Sequence, residues 1–160
     1  MARSNVRIEP LKGHGAFDVV FEHGARFAYR GVTGFILFRH TLAALDHIAM
    51  PELNRFSAIP PDRVVVGVAA KRRTRPAVMR NRIKRLLRVA VQNALWKHHA
   101  MPYNAEREPF PIAAIIFICN IIPAKPSLLH LVEIQPLVER IFQNAERHFR
   151  SSSHSHSEAP

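Results

Sequence analysis

Nine cations within eighteen residues are the first chemistry this chain offers: Lys71, Arg72, Arg73 and Arg75, then Arg80, Arg82, Lys84, Arg85 and Arg88. In the second group the spacings are three and four, which on a helix align side chains along one face. Arginine predominates, and its planar fork matches the paired oxygens of a phosphate. Solvated helix faces usually interleave Glu or Asp to relieve repulsion, yet from Arg63 to Ala105 there are eleven Lys or Arg and no acidic residue. That stretch accounts for the whole formal charge of +11, because the remaining twelve basic residues are matched by twelve acidic ones. The chain is a neutral frame carrying one concentrated positive segment, and its partner is expected to be a polyanion with a phosphate backbone.

Aromatic residues form the second set. Phe17 and Phe21 lie four apart, a spacing that by itself belongs more often to core, and Phe38 is assigned to the core. Other chemistry is thinly supplied. Cys119 is the only cysteine, which excludes an internal disulfide and a thiolate metal cluster and reads as a small buried residue. His98 and His99 diverge if helical and have no carboxylate near in sequence, and His154 and His156 sit in a serine-rich end. No protein metal site and no catalytic residue is read. The clustered carboxylates of a self-sufficient nuclease are missing.

These residues need elements to position them. The 160 residues, 48% hydrophobic and 22% charged, suit a single domain over 1–150, followed by an unstructured Ser/His-rich tail over 151–160. His14 to Gly24 reads as a short helix stopped by glycine, and Phe27 to Arg39 as strand with a bend or bulge at Gly31 and Gly34. His40 to Pro61 has no period and reads as a long connection with at most a helical turn near Thr41 to Ile48. Arg63 to Ala70 is a β-branched run expected to be a buried strand. Met79 to Trp96 has the clearest helical pattern: Met79, Ile83, Leu86, Leu87, Ala90 and Ala94 share one stripe, while Asn81, Arg85 and Arg88 point away. Ile112 to about Ile122 is a second buried strand, too short to cross a membrane, and Ile134 to Phe149 an amphipathic helix. With no apolar segment behind the first ten residues, a secretory signal is not expected, and the lone cysteine fits the cytoplasm.

Arg80-Asn81-Arg82-Ile83-Lys84-Arg85-Leu86-Leu87-Arg88, preceded by Ala70-Lys71-Arg72, resembles the signature of the bacterial ribonuclease P protein component, and Phe17 to Gly24 is similar to that family's first helix. The likeness spans Arg7 to Arg150. It implies an α/β (α+β) two-layer sandwich, a four-stranded sheet with three helices, and a left-handed β-α-β crossover that general chirality rules disfavour. It implies a small protein bound to a large catalytic RNA, removing the 5′ leader of precursor tRNA; no protein partner is implied, and no membrane is expected. Mg²⁺ would be bound mainly by the RNA, and the protein alone would be inactive. Carried over by position, Arg80, Asn81, Arg82, Lys84, Arg85 and Arg88 face the catalytic RNA, extended by Lys71, Arg72, Arg73 and Arg75. Phe17, Phe21 and Phe35 line the cleft for the leader. The chain departs from the family in placing three valines between Arg63 and Gly67, and in having Lys125 as the nearest base after its last strand. The alternatives are a ribosomal or assembly factor using the same basic helix, and a DNA-binding helix, which lacks the heptad seam or helix-turn-helix partner it would need.

Overall fold

A computed structural model describes residues 6–48, 50–71, 77–97, 110–121 and 129–157. The order of elements is β1 (Arg7–Pro10), α1 (His14–His23), β2 (Ala25–Tyr29), β3 (Val32–Phe38), α2 (Arg39–Ala44), α3 (Pro51–Ser57), β4 (Arg63–Ala70), α4 (Ala77–Lys97), β5 (Ile112–Cys119) and α5 (Leu131–Ser157). The strands make one mixed sheet in the order β1-β4-β5-β3-β2. β1, β4 and β5 run parallel, and β5, β3 and β2 are antiparallel in turn.

The central strands are predominantly apolar because helices pack on both faces of the sheet. On one face Val64, Val66, Ile115, Phe117 and Ile36 pack against α4 and α5, through Ile83, Leu87, Ile134, Val138 and Phe142 among others. On the other, Leu37, Ala114 and Ile116 pack against α1, α2 and α3 through Ala16, Val19, Val20, Leu42, Leu53 and Phe56. Polar groups add register between α4 and α5: Gln135 Nε2 donates to Ala90 O (3.1 Å), and Asn93 Nδ2 donates to Gln135 Oε1 (3.2 Å).

Among the described residues the α+β fold therefore has five strands and five helices, where four and three were expected. β1 escapes the sequence because Arg-Ile-Glu-Pro has no apolar alternation; it is held by pairing from Arg7↔Arg63 to Pro10↔Val66. Leu11 N–H donates to Val66 O, so the nitrogen of Pro10 falls on the outer edge, where a missing donor costs nothing. The single strand expected after Phe27 is a hairpin. Tyr29 pairs with Val32, and Arg30 (φ 45°) and Gly31 (φ 86°) form a two-residue turn with both central residues left-handed, matching the strand twist. Gly34 lies within β3; the irregularity falls between Leu37 and Phe38.

The connection after His40 holds two short helices, the second started by Pro51 at its first position. Buried Leu42, Leu53 and Phe56 seat these helices on the sheet, and one side chain ties down the end of the connection. Arg39 Nε donates to Phe110 O (2.7 Å), Nη1 to Ile59 O (3.1 Å), and Nη2 to Pro60 O (2.9 Å) and Arg63 O (2.9 Å). Ser151 to Ser157, expected to be unstructured, continues α5, with Ser151 and Ser152 hydroxyls donating to the carbonyls four residues back.

Candidate nucleic-acid interface

α4 buries Met79, Ile83, Leu87, Ala90, Val91 and Ala94. Its opposite side is thereby turned outward, with Asn81, Arg85 and Arg88 exposed and Arg80, Arg82 and Lys84 half-buried. Val78, Asn81, Arg82, Lys84, Arg85 and Arg88 line a shallow groove along this side. No carboxylate among the described residues pairs with Lys84, Arg85 or Arg88. Their charge is available to an external anion. Lys71 is exposed at the end of β4, whereas Arg72, Arg73 and Arg75 lie outside the described residues, as do His98, His99 and Lys125.

Arg82 differs from its neighbours. Both Nε (3.0 Å) and Nη2 (2.9 Å) donate to Leu129 O, just before α5 begins. Two of its five N–H donors thus join α4 to the approach of α5, while its side chain still lines the cationic groove.

The three phenylalanines meet on the opposite face of the sheet. Phe21 stands edge-on to Phe35, with centroids 4.9 Å apart at 87°, and 6.4 Å from Phe17. Phe17 is half-buried and Phe21 is 39% exposed. Phe17 lies flush on β4 only because residue 67 is glycine: a Cβ there would come within 2.9 Å of the ring Cζ. Strand register extends this surface. Phe35 pairs with Arg26 and Ile116, and Ile116 with Gly67, giving one row. The next row is Ala28, Thr33, Ile118 and Ala69, with Ile118 and Ala69 half-buried. Phe38 is 1% exposed on the other face, in the core as expected.

Arg26, exposed and directly across from Phe35, is a candidate site residue that the spacing of the sequence does not disclose. It places a cation beside the half-buried Phe35 ring, a combination that suits a single strand of nucleic acid. The signal was the hairpin register, legible only once the Arg30-Gly31 turn is recognised. Cys119 is buried, and burial pushes its thiol above the usual range, partly offset by a backbone hydrogen bond from Ile121. Among the described residues no three His, Cys, Asp or Glu converge, and no helix is long and apolar enough to cross a membrane.

A basic helix face backed by an aromatic row on the other side of a mixed sheet can be compared with known proteins. The sequence pattern of the Ribonuclease P family matches residues 7–103. The chain belongs to the ribonuclease P protein family. It is thus a protein subunit of ribonuclease P, the tRNA-processing ribonucleoprotein. Its fold is similar to that of the Staphylococcus aureus ribonuclease P protein, at 18% identity over 86% of this chain and 94% of that one, with a TM-score of 0.51. A second structure of the S. aureus protein aligns at 17% identity over 91% and 93% of the two chains, with a TM-score of 0.51. A mutant of it, described as defective in mRNA degradation activity, aligns at 17% over 85% and 86%, again with a TM-score of 0.51. No curated protein sequence matches this chain.

Proposed function

We propose that this ribonuclease P subunit holds the catalytic RNA along the outer side of α4 and the 5′ leader of precursor tRNA across the Phe17, Phe21 and Phe35 row, in the cytoplasm. The observation that carries the reading is the pairing of two unlike surfaces on opposite faces of one sheet: unpaired cations on one and open rings on the other. Arg85, Arg88 and Lys84 neutralise phosphates of a structured RNA, and Lys71 with Arg72, Arg73 and Arg75 extend that contact. Phe21 and Phe35 receive unpaired bases of any sequence, with Arg26 on the adjoining backbone. The protein's contribution is to bring leader and catalytic RNA into one register, so that a bimolecular encounter becomes an intramolecular one.

Mg²⁺ belongs to the RNA in this reading. The described residues offer no carboxylate cluster to hold it, and the outward cations of α4 repel it. Bound by RNA phosphates, it supplies the activated water. The protein's residues bind and orient.

The test is cleavage of precursor tRNA by nuclease-treated protein, by the organism's own ribonuclease P RNA at low Mg²⁺, and by the two together. Activity only in the combined reaction is expected. Robust cleavage by RNA-free protein would replace this reading with that of a protein nuclease, and binding without stimulation would leave a non-catalytic RNA-binding role. An unstructured mRNA belongs in the same assay, given the activity named for the S. aureus protein.

A further inference from the structure

The outward side of α4 does not end with its last arginine. At about 100° per residue, Asn81, Arg85, Arg88, Gln92 and Trp96 fall within an arc of about 80°, so one ridge of roughly 22 Å runs from the Asn81 turn to the indole. Asn81, Arg85 and Arg88 are exposed, Gln92 is half-buried, and Trp96 is 38% exposed. The end of the ridge is built. Trp96 Nε1 donates to Val6 O at 3.0 Å, which fixes the plane of the indole through its edge. Beside it lies a groove between α4 and β1, lined by Ile8, Pro10, Val66, Val91 and Trp96, with Arg88 and Gln92 also at its wall. Arg88 lines both this groove and the cationic groove further up the helix. The outer edge of β1 does not invite another strand, because Pro10 interrupts it.

An aromatic ring, an apolar recess and a guanidinium shared with a phosphate-binding ridge match a nucleotide in its separate parts. The base lies against the ring and the phosphate against the arginine. Gln92, whose amide both donates and accepts, and the Glu9 carboxylate, held by Arg63 at 2.7 Å, meet the polar edge of that base. We propose that the Trp96 end of α4 is a stacking site for one unpaired base of the catalytic RNA, separate from the phenylalanine row on the other face of the sheet. The proposal rests on the reading that α4 binds this RNA. Continuity of the ridge favours the catalytic RNA over the leader: the same helix face that holds its backbone delivers the base to the indole.

Trp96 is the only tryptophan, so its emission reports on this site alone. The full chain is titrated with its own ribonuclease P RNA, and affinity, salt slope and emission are read together for wild type, Trp96→Phe, Trp96→Leu and Arg85→Ala. Quenching of wild-type emission on RNA binding is expected. Trp96→Leu weakens binding by roughly 5- to 150-fold at an unchanged salt slope, since no phosphate contact is lost. Trp96→Phe keeps a stacking face and stays within about threefold of wild type, although it too loses the bond to Val6. Thermal unfolding of both variants tracks folding. Unquenched emission with wild-type affinity in Trp96→Leu removes the site while the α4 reading stands. Equal losses in Phe and Leu variants assign Trp96 to anchoring β1 and overturn the proposal. Quenching that appears only when precursor tRNA joins the assembled complex assigns the site to the substrate and overturns the choice of catalytic RNA. Failure of the wild-type chain to bind this RNA, with Arg85→Ala no different, overturns the reading beneath as well.

Discussion

Arg39, Arg82 and Arg85 carry the same guanidinium, and their surroundings send it to three tasks. Arg39 has four carbonyls from three segments around it and gathers them. Arg82 sits on α4 within reach of one carbonyl at the approach to α5 and takes it with two donors. Arg85, exposed, with no carboxylate pairing it among the described residues, keeps its fork for an external anion. The two helix arginines should therefore separate by experiment although only three residues apart. Arg85→Ala is expected to leave thermal stability within about 0.5 kcal/mol and to lower the salt slope of RNA binding by about one unit. Arg82→Ala should instead cost about 1 to 3 kcal/mol of stability, the usual range for charged hydrogen bonds lost to a carbonyl, with a smaller change in slope. Denaturation midpoints beside affinities at several salt concentrations decide it; equal slopes lost in both variants would return Arg82 to the RNA contact set.

α1 shows how one helix serves core and site together. Its register puts Ala16, Val19 and Val20 inside and leaves Phe21 at the rim, with Phe17 half-covered on β4. Phe17→Ala is expected to cost about 2 to 3 kcal/mol of folding stability and Phe21→Ala under 1 kcal/mol, while Phe21→Ala loses about 1 to 3 kcal/mol of holoenzyme affinity for leader-bearing substrate and little for mature tRNA. Gly67→Ala pushes a methyl to within 2.9 Å of the Phe17 ring and 3.2 Å of Leu11 Cδ2. It should lift that ring and reduce leader affinity with the phenylalanines intact. Unfolding curves and competition between the two tRNAs check all three; identical losses for both tRNAs would take the row out of the leader site. Elements with a strong period were legible beforehand: α1, β4, α4 and β5 lie where apolar spacing and a stop glycine put them. The rest depended on partners distant in sequence. β1 has one apolar residue within its four and exists by pairing with β4, the end of the connection at Ile59 and Pro60 is tied down by Arg39 some twenty residues away, and Arg26 joins the candidate site only through its register with Phe35. Likewise the cationic face of α4 was plain from spacing, but the diversion of Arg82 was not, because Leu129 is 47 residues away.

At the scale of the molecule the proposed function gives the two faces of the sheet two jobs. α4 and α5 cover one face and α1, α2 and α3 the other, so the cationic ridge and the phenylalanine row lie on opposite sides of the sheet. Sites divided in this way, sharing no side chain, should act as independent steps, with free energies that add within about 0.5 kcal/mol. Under the proposed function the first step is assembly of protein and catalytic RNA, which depends on charge and hence on salt; the second is capture of the leader, which depends on stacking. Weakening the first only lowers the fraction of assembled particles, so mass action restores it. Arg85→Ala holoenzyme should therefore bind and cleave precursor tRNA like wild type once the catalytic RNA is raised well above the new dissociation constant or the salt is lowered. Phe21→Ala should gain nothing from either treatment, because every particle it forms carries the same damaged leader surface. In the double variant, excess RNA should restore activity to the Phe21→Ala level and no further. Turnover at subsaturating precursor tRNA, measured across RNA and salt concentrations for the four proteins, reads this directly. Rescue of Phe21→Ala by excess RNA, or failure to rescue Arg85→Ala, would mean that the two faces are coupled through the sheet rather than insulated by it.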